Sequence, residues 1–207
     1  MTRILLFVAT NMAVLLVLGI ITSILGVDPK SQGGLLLMAL VMGFMFEWGK
    51  KSPSPSFVLR KLNQRLMQWN QQQSTFVTMF YAVYDEEEKR LYYANAGHPA
   101  GLLLRADGSV EHLEGTGIPL GVLDESEWGE NQTPIGEGER LLMYSDGLLE
   151  ARDQEGEDYG MERLTRSLQA TQGLSLEQAL EQIESDVRRF CQGRLSDDLA
   201  ILVMERT

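Results

Sequence analysis

The sequence predicts an α+β domain, with helices packed on sheet, behind an N-terminal transmembrane helical hairpin. Three observations predict it. Residues 4–25 carry no charge. From residue 75 onward, short apolar stretches alternate with glycine-containing turns. Two amphipathic stretches then precede a final apolar run at residues 199–204. Strands, then helices, then a closing strand form a layered domain.

Charge divides the chain into unlike parts. Of its 18 basic and 29 acidic residues, residues 1–51 hold four basic and two acidic, leaving 14 and 27 for the remainder. So acidic a remainder repels phosphate backbones and argues against nucleic acid, whereas a cationic flank beside an apolar run suits a membrane surface. One cysteine, Cys191, forms no intrachain disulfide, which fits a reducing compartment and a small core residue.

As a helix, residues 4–25 extend roughly 33 Å, enough for a ~30 Å hydrocarbon core. The run exceeds the ~7–15 residues of a signal-peptide core. A second apolar run, residues 33–48, is interrupted by Glu47. It reaches only about 24 Å, so it either crosses with bilayer thinning and Trp48 at the interface or stays on one side. Arg3 precedes the first run, and Lys50, Lys51, Arg60, Lys61 and Arg65 follow the second, with only Lys30 between them. This bias puts the acidic domain on the cytoplasmic side of the membrane in either case. Organised in this way, the chain comprises a hairpin at 1–49, a Ser/Pro linker at 50–56 and a domain at 57–207.

Within that domain Leu59, Leu62, Leu66 and Trp69 form one helical stripe. Strands are expected at residues 75–84, the first buried on both faces, and at 91–95, 102–105, 110–113, 140–144 and 199–204, the early ones as a meander. Helices are expected at 161–170 and 176–191, the latter with Leu176, Ala179, Leu180, Ile183, Val187 and Phe190 on one face.

Two acidic positions lie where apolar strands meet turns. Asp146 follows RLLMYS and precedes Gly147, and Asp197 and Asp198 precede LAILVM. Asp146–Gly147 also reads as a plain hairpin turn, and the Asp197–Asp198 pair as a solvated strand start. Adjacent carboxylates leading into a core strand are costly without a cation, and they suit hard ions such as Mg²⁺ or Mn²⁺. His98, in Asn95-Ala96-Gly97-His98-Pro99, is a proton donor or a residue that orders its turn by hydrogen bonding.

The stretches FVTMFYAVYDEEEKRLYYANAGHPAGLLLRADGSVEHL, GIPLGV, GERLLMYSDGLLEARDQEGEDYGMERL and SDDLAILVM, in this order over residues 76–204, resemble the successive blocks of SpoIIE-type metal-dependent serine/threonine phosphatases. The resemblance implies a β-sandwich flanked by helices. It also implies two Mn²⁺ or Mg²⁺ ions holding the water that attacks a phosphoserine or phosphothreonine. Metal ligation carries over to Asp146 and Asp197, with Asp198 as their neighbour. The implied substrate is a phosphorylated regulatory protein, such as an anti-sigma-factor antagonist.

Members also carry GGDxxD-like and D-x-S-G-K-G-like blocks ahead of the first helix, which supply the aspartates that bridge the two ions. Residues 1–56 contain only Asp28 and Glu47 as acidic residues, in neither context. This chain is therefore a partial β-sandwich of that type, expected to hold at most one ion weakly. Two functions stay open, a membrane-anchored phosphatase and a non-catalytic partner-binding remnant. Residues 1–44 resemble the N-terminal hairpin of the HtpX membrane metalloproteases. Without the H-E-x-x-H pattern, and with His98 and His112 fourteen residues apart, that protease chemistry is excluded.

The charge bias makes a topology prediction. A fluorescent cytoplasmic reporter fused after Thr207 should fluoresce in membrane-bound form, and alkaline phosphatase at the same site should be inactive. The opposite pattern would reverse the orientation.

Overall fold

The computed structural model describes residue 43 and residues 54–69, 76–115, 117–195 and 197–207. Apart from Gly43, the hairpin expected at 1–49 lies outside the described residues, as do residues 50–53 of the linker. Among the described residues no helix is long and apolar enough to cross a membrane.

Helix α1 (Pro55–Trp69) begins where local chemistry favours it. The Ser54 hydroxyl accepts the Phe57 N–H at 3.3 Å, and Pro55 occupies the first turn, where its missing donor costs nothing. Its apolar stripe buries Val58, Leu59, Leu62 and Leu66 against the first sheet.

That sheet has the order β1 (Met79–Asp85), β2 (Arg90–Ala96), β5 (Asn131–Pro134). A second sheet has the order β4 (Val110–Leu113), β3 (Gly101–Leu104), β6 (Arg140–Tyr144), β7 (Ile201–Glu205), and all its pairings are antiparallel. The meander expected from the sequence is thus two hairpins in different sheets, β1–β2 and β3–β4. The chain changes sheet at residues 97–100. Strand β1 is also less enclosed than its composition predicts, fully buried only at Met79 and Phe80, because it forms an edge.

Side-chain alternation shows how the sheets stack. Leu103 of β3 and Leu141 of β6 join Phe80, Leu91 and Tyr93 in a core between the sheets. Leu102, Leu104, Leu142 and Tyr144 point the other way, into a second core. Helices α3 (Gly160–Gln169) and α4 (Leu176–Phe190) cover that face with Leu164, Leu168, Ile183 and Val187, and Cys191 packs with them. The result is helix, sheet, sheet, helices: a β-sandwich with helical flanks. A capping box between Ser175 and Gln178 starts α4.

Two arginines tie the elements together at one end. Arg105 reaches Glu111, the Thr133 hydroxyl at 2.6 Å and Glu139 at 2.8 Å, joining β4 and β5 across the two sheets. Arg140 bonds Glu205 at 2.5 Å and the Thr171 carbonyl at 2.7 Å, fixing β7 and the α3–α4 connection to β6.

Two elements were not expected. Strand β5 is NQTP, with only Thr133 buried, and the four-residue helix α2 (Asp146–Leu149) replaces the Asp146–Gly147 hairpin turn. Gly147 is required there by space. A Cβ on it would stand 2.7 Å from the Asp198 carbonyl oxygen and 3.1 Å from the Asp197 Cβ. Backbone cannot retreat as a flexible side chain can, so Gly147→Ala is expected to lower stability by about 1–3 kcal/mol in urea denaturation. Gly115→Ala, with open space around its Cβ, should stay within about 0.5 kcal/mol of the parent.

Candidate functional site at one end of the sandwich

The end of the sandwich away from Arg105 collects three chain segments. Strand β2 ends at Ala96 and the 97–100 loop follows; β6 ends at Tyr144, ahead of Asp146; and residues 197–200 lead into β7. The last ladder pair, Tyr144 with Ile201, sets the second and third segments side by side. Beyond it the Ser145 N–H donates to the Ala200 carbonyl at 3.0 Å. The Ser145 hydroxyl donates to the Asp198 carbonyl at 2.8 Å and accepts from the Ala200 N–H at 3.0 Å.

The structure therefore brings the two acidic positions together from opposite ends of the α2–α4 region. Asp146 is half-buried, its carboxylate accepting the Gly147 N–H at 3.0 Å, while Asp197 and Asp198 are exposed. Asp197 accepts the Asp198 N–H at 2.7 Å.

His98 comes to the same place from the first sheet. Its turn is ordered by Asn95, which is fully buried: the Asn95 amide donates to the His98 carbonyl at 2.9 Å, and its oxygen accepts the His98 N–H at 2.8 Å. Gly97 has φ of 72°, and a Cβ there would stand 2.7 Å from the Pro119 ring, so both conformation and space require glycine. The sequence offers His98 as a proton donor or as the residue that orders this turn; its ring does bond the loop backbone at Pro99, and Asn95 adds two further bonds.

Burial lowers the imidazole pKa from its ordinary value, with the Pro99 carbonyl contact and the nearby Asp146 carboxylate opposing that shift. A neutral ring whose Nδ1 lies 3.0 Å from the Pro99 carbonyl keeps its proton there and leaves Nε2 as an acceptor. The Tyr144 hydroxyl donates to the Ala100 carbonyl at 2.8 Å and anchors the His98 loop to the strand that leads to Asp146.

Ser145, Asn95 and Tyr144 do not stand out in the sequence as site residues. Polar side chains within apolar strands were the available signal. A cavity of about 240 Å³ lined by Tyr84, Leu91, Ile135, Leu141 and Met204 lies at the opposite end of the sandwich and takes no part here.

The donors are carboxylate oxygens, the type that Mg²⁺ and Mn²⁺ prefer, and such ions are commonly held by one or two carboxylates plus water. Among the described residues no group of three or more His, Cys, Asp or Glu side chains is arranged to hold an ion. Asp146, Asp197 and Asp198 are donors of that type, carried on the adjoining segments at this end of the sandwich.

Comparison with known proteins agrees with this architecture. Residues 29–207 match the family described as Stage II sporulation protein E (SpoIIE). The phosphoserine phosphatase RsbU of Bacillus subtilis is 27% identical over 187 residues, 89% of this chain and 55% of that protein. The chain thus spans little more than half of that relative's length. A separate similarity links 44 residues, 21% of this chain, to protease HtpX of Haemophilus influenzae at 66% identity, covering 16% of the protease. The SiaA-PP2C domain of Pseudomonas aeruginosa superposes with a TM-score of 0.74 at 18% identity, over 86% of this chain and 72% of that one. The catalytic domain of the serine/threonine protein phosphatase PstP, in complex with 2 manganese ions, gives 0.60 at 16% identity, over 85% and 83%. The chain belongs to the SpoIIE family and folds as a PP2C-type phosphatase domain.

Proposed function

We propose that the chain is a phosphoprotein phosphatase of restricted activity, tethered to the bacterial inner membrane with its domain in the cytoplasm, acting on a phosphorylated regulatory protein. The family supports the reaction class, and the description of RsbU as a phosphoserine phosphatase supports the substrate class. The uncharged run at residues 4–25 and the cationic flank support the tether. One observation carries the chemical reading: residues separated widely in sequence, Asp146 and Asp197, are set together by direct packing of Gly147 on the 197–198 backbone.

In this reading Asp146 and Asp197 would hold one Mn²⁺ or Mg²⁺ ion, with the Asp198 carboxylate adding negative charge beside it. A divalent ion bound there supplies charge neutralisation for a phosphoryl oxygen. His98, whose Nδ1 faces the Pro99 carbonyl and leaves Nε2 as an acceptor, would take the proton that the attacking water gives up and return it to the serine or threonine oxygen as its bond to phosphorus breaks. In-line displacement gains most from two positions that clamp both the attacking and the leaving oxygen, and two carboxylates do not define both positions. The partner-binding reading draws on the same shortage of donors among the described residues.

The folded chain is expected to hydrolyse p-nitrophenyl phosphate slowly in excess Mn²⁺, with Asp146→Asn at background and circular dichroism confirming that both are folded. A fused family-like front half should raise the rate. Fast Mn²⁺-dependent turnover by the chain alone, abolished by Asp146→Asn, would show a complete centre and overturn the restricted reading. Background rates for the parent chain would favour the partner-binding reading.

A further inference from the structure

Ser145 occupies the position before α2, with φ of −75° and ψ of 156°, where a serine ordinarily turns its hydroxyl onto the helix's own N–H groups. It makes no such bond. The hydroxyl points instead across the seam, donating to the Asp198 carbonyl at 2.8 Å and accepting the Ala200 N–H at 3.0 Å. Ser145 is 1% exposed, so its hydroxyl is held away from water and bonds these two backbone groups instead.

The geometry explains the diversion. The β6–β7 ladder ends at Tyr144 and Ile201, and the Ser145 N–H makes one further bond to the Ala200 carbonyl. Past that point the regular ladder stops, with β6 turning into α2. The hydroxyl, as acceptor and donor at once, continues the pairing after the backbone has left it. Gly147 removes the side chain that would hold the segments apart. Asp146 lies between these two residues, and Asp197 is joined directly to Asp198, whose carbonyl is held.

From this we infer that Ser145 is a positioning residue: its hydroxyl sets the spacing of Asp146 and Asp197, and so the affinity of the site for a divalent ion. The inference rests on the reading of those carboxylates as ion ligands. Ser145 touches neither ion nor substrate and acts through the 198–200 backbone. Loss of residues that orient ligands commonly costs about 10- to 100-fold in metal affinity.

The test uses the whole chain in detergent and Mn²⁺ alone as probe, reading the loss of the free-Mn²⁺ electron paramagnetic resonance signal. Metal-free melting temperature and amide exchange at Ala200 are followed in parallel. Ser145→Ala is expected to weaken Mn²⁺ binding about tenfold or more and to speed exchange at Ala200, and Ser145→Thr, which keeps the hydroxyl, should restore both. If Ser145→Ala fails to fold, Ser145→Cys, close in size but a poor hydrogen-bonding group, takes its place with the same expectation. Parental affinity in Ser145→Ala or Ser145→Cys, or loss of affinity in Ser145→Thr equal to that in Ser145→Ala, would overturn the positioning role while leaving the ion site intact. Binding by the parent chain no tighter than by Asp146→Asn would overturn the ion site itself, and the inference with it.

Discussion

Strands β3 and β6 are apolar on both faces, and that constraint organises everything around them. Leu103 and Leu141 must be covered on one side and Leu102, Leu104 and Leu142 on the other. One face is met by the β1–β2–β5 sheet and the other by α3 and α4. A sheet with a polar outer face would have needed only one of these covers. Each fully buried leucine contributes on the order of 1.5–3 kcal/mol relative to exposure, so these two short strands account for a large share of what stabilises the domain. The helices are therefore structural walls, and the chemistry is left to the strand ends, where side chains need not be apolar.

At those ends the requirements reverse. Backbone groups leaving the ladder still need hydrogen-bond partners, and carboxylates gathered in one place repel one another. The structure answers the first with side chains: Asn95 closes the His98 turn, Tyr144 anchors that loop through Ala100, and Ser145 joins the two segments that carry the aspartates. It answers the second in part by leaving Asp197 and Asp198 in contact with water. Burial disfavours the charged form of the imidazole near Asp146, so it offers these carboxylates little compensating positive charge.

Much of the fold was legible because burial writes periodicity into sequence. The stripe of Leu59, Leu62 and Leu66, the apolar run at residues 102–104 and the face of Ile183 and Val187 each located an element close to where it lies. Strand β5 was not legible, because an exposed edge strand made of Asn131, Gln132, Thr133 and Pro134 needs no apolar pattern and owes its conformation to pairing with β2. The division into two sheets was hidden for a related reason: residues 97–100 look the same whether the chain returns to its own sheet or crosses to another. Asp146, Asp197 and His98 were visible by residue type and position. Ser145 and Gly147 were not, since their roles depend on a neighbour about fifty residues away, a contact that no local pattern encodes.

That long separation has a kinetic side. Closing a loop of about fifty residues is entropically unfavourable until the helices inside it have packed, so the 145–147 and 197–200 segments should meet late in folding, after α3 and α4 have docked on the second sheet. Before then the aspartates are far apart and have no special affinity for a divalent ion. A cation that binds only the joined segments would draw the folding equilibrium toward the finished domain by mass action. On the proposed reading, free manganese or magnesium in a cell would then set how much of the chain is complete at any moment.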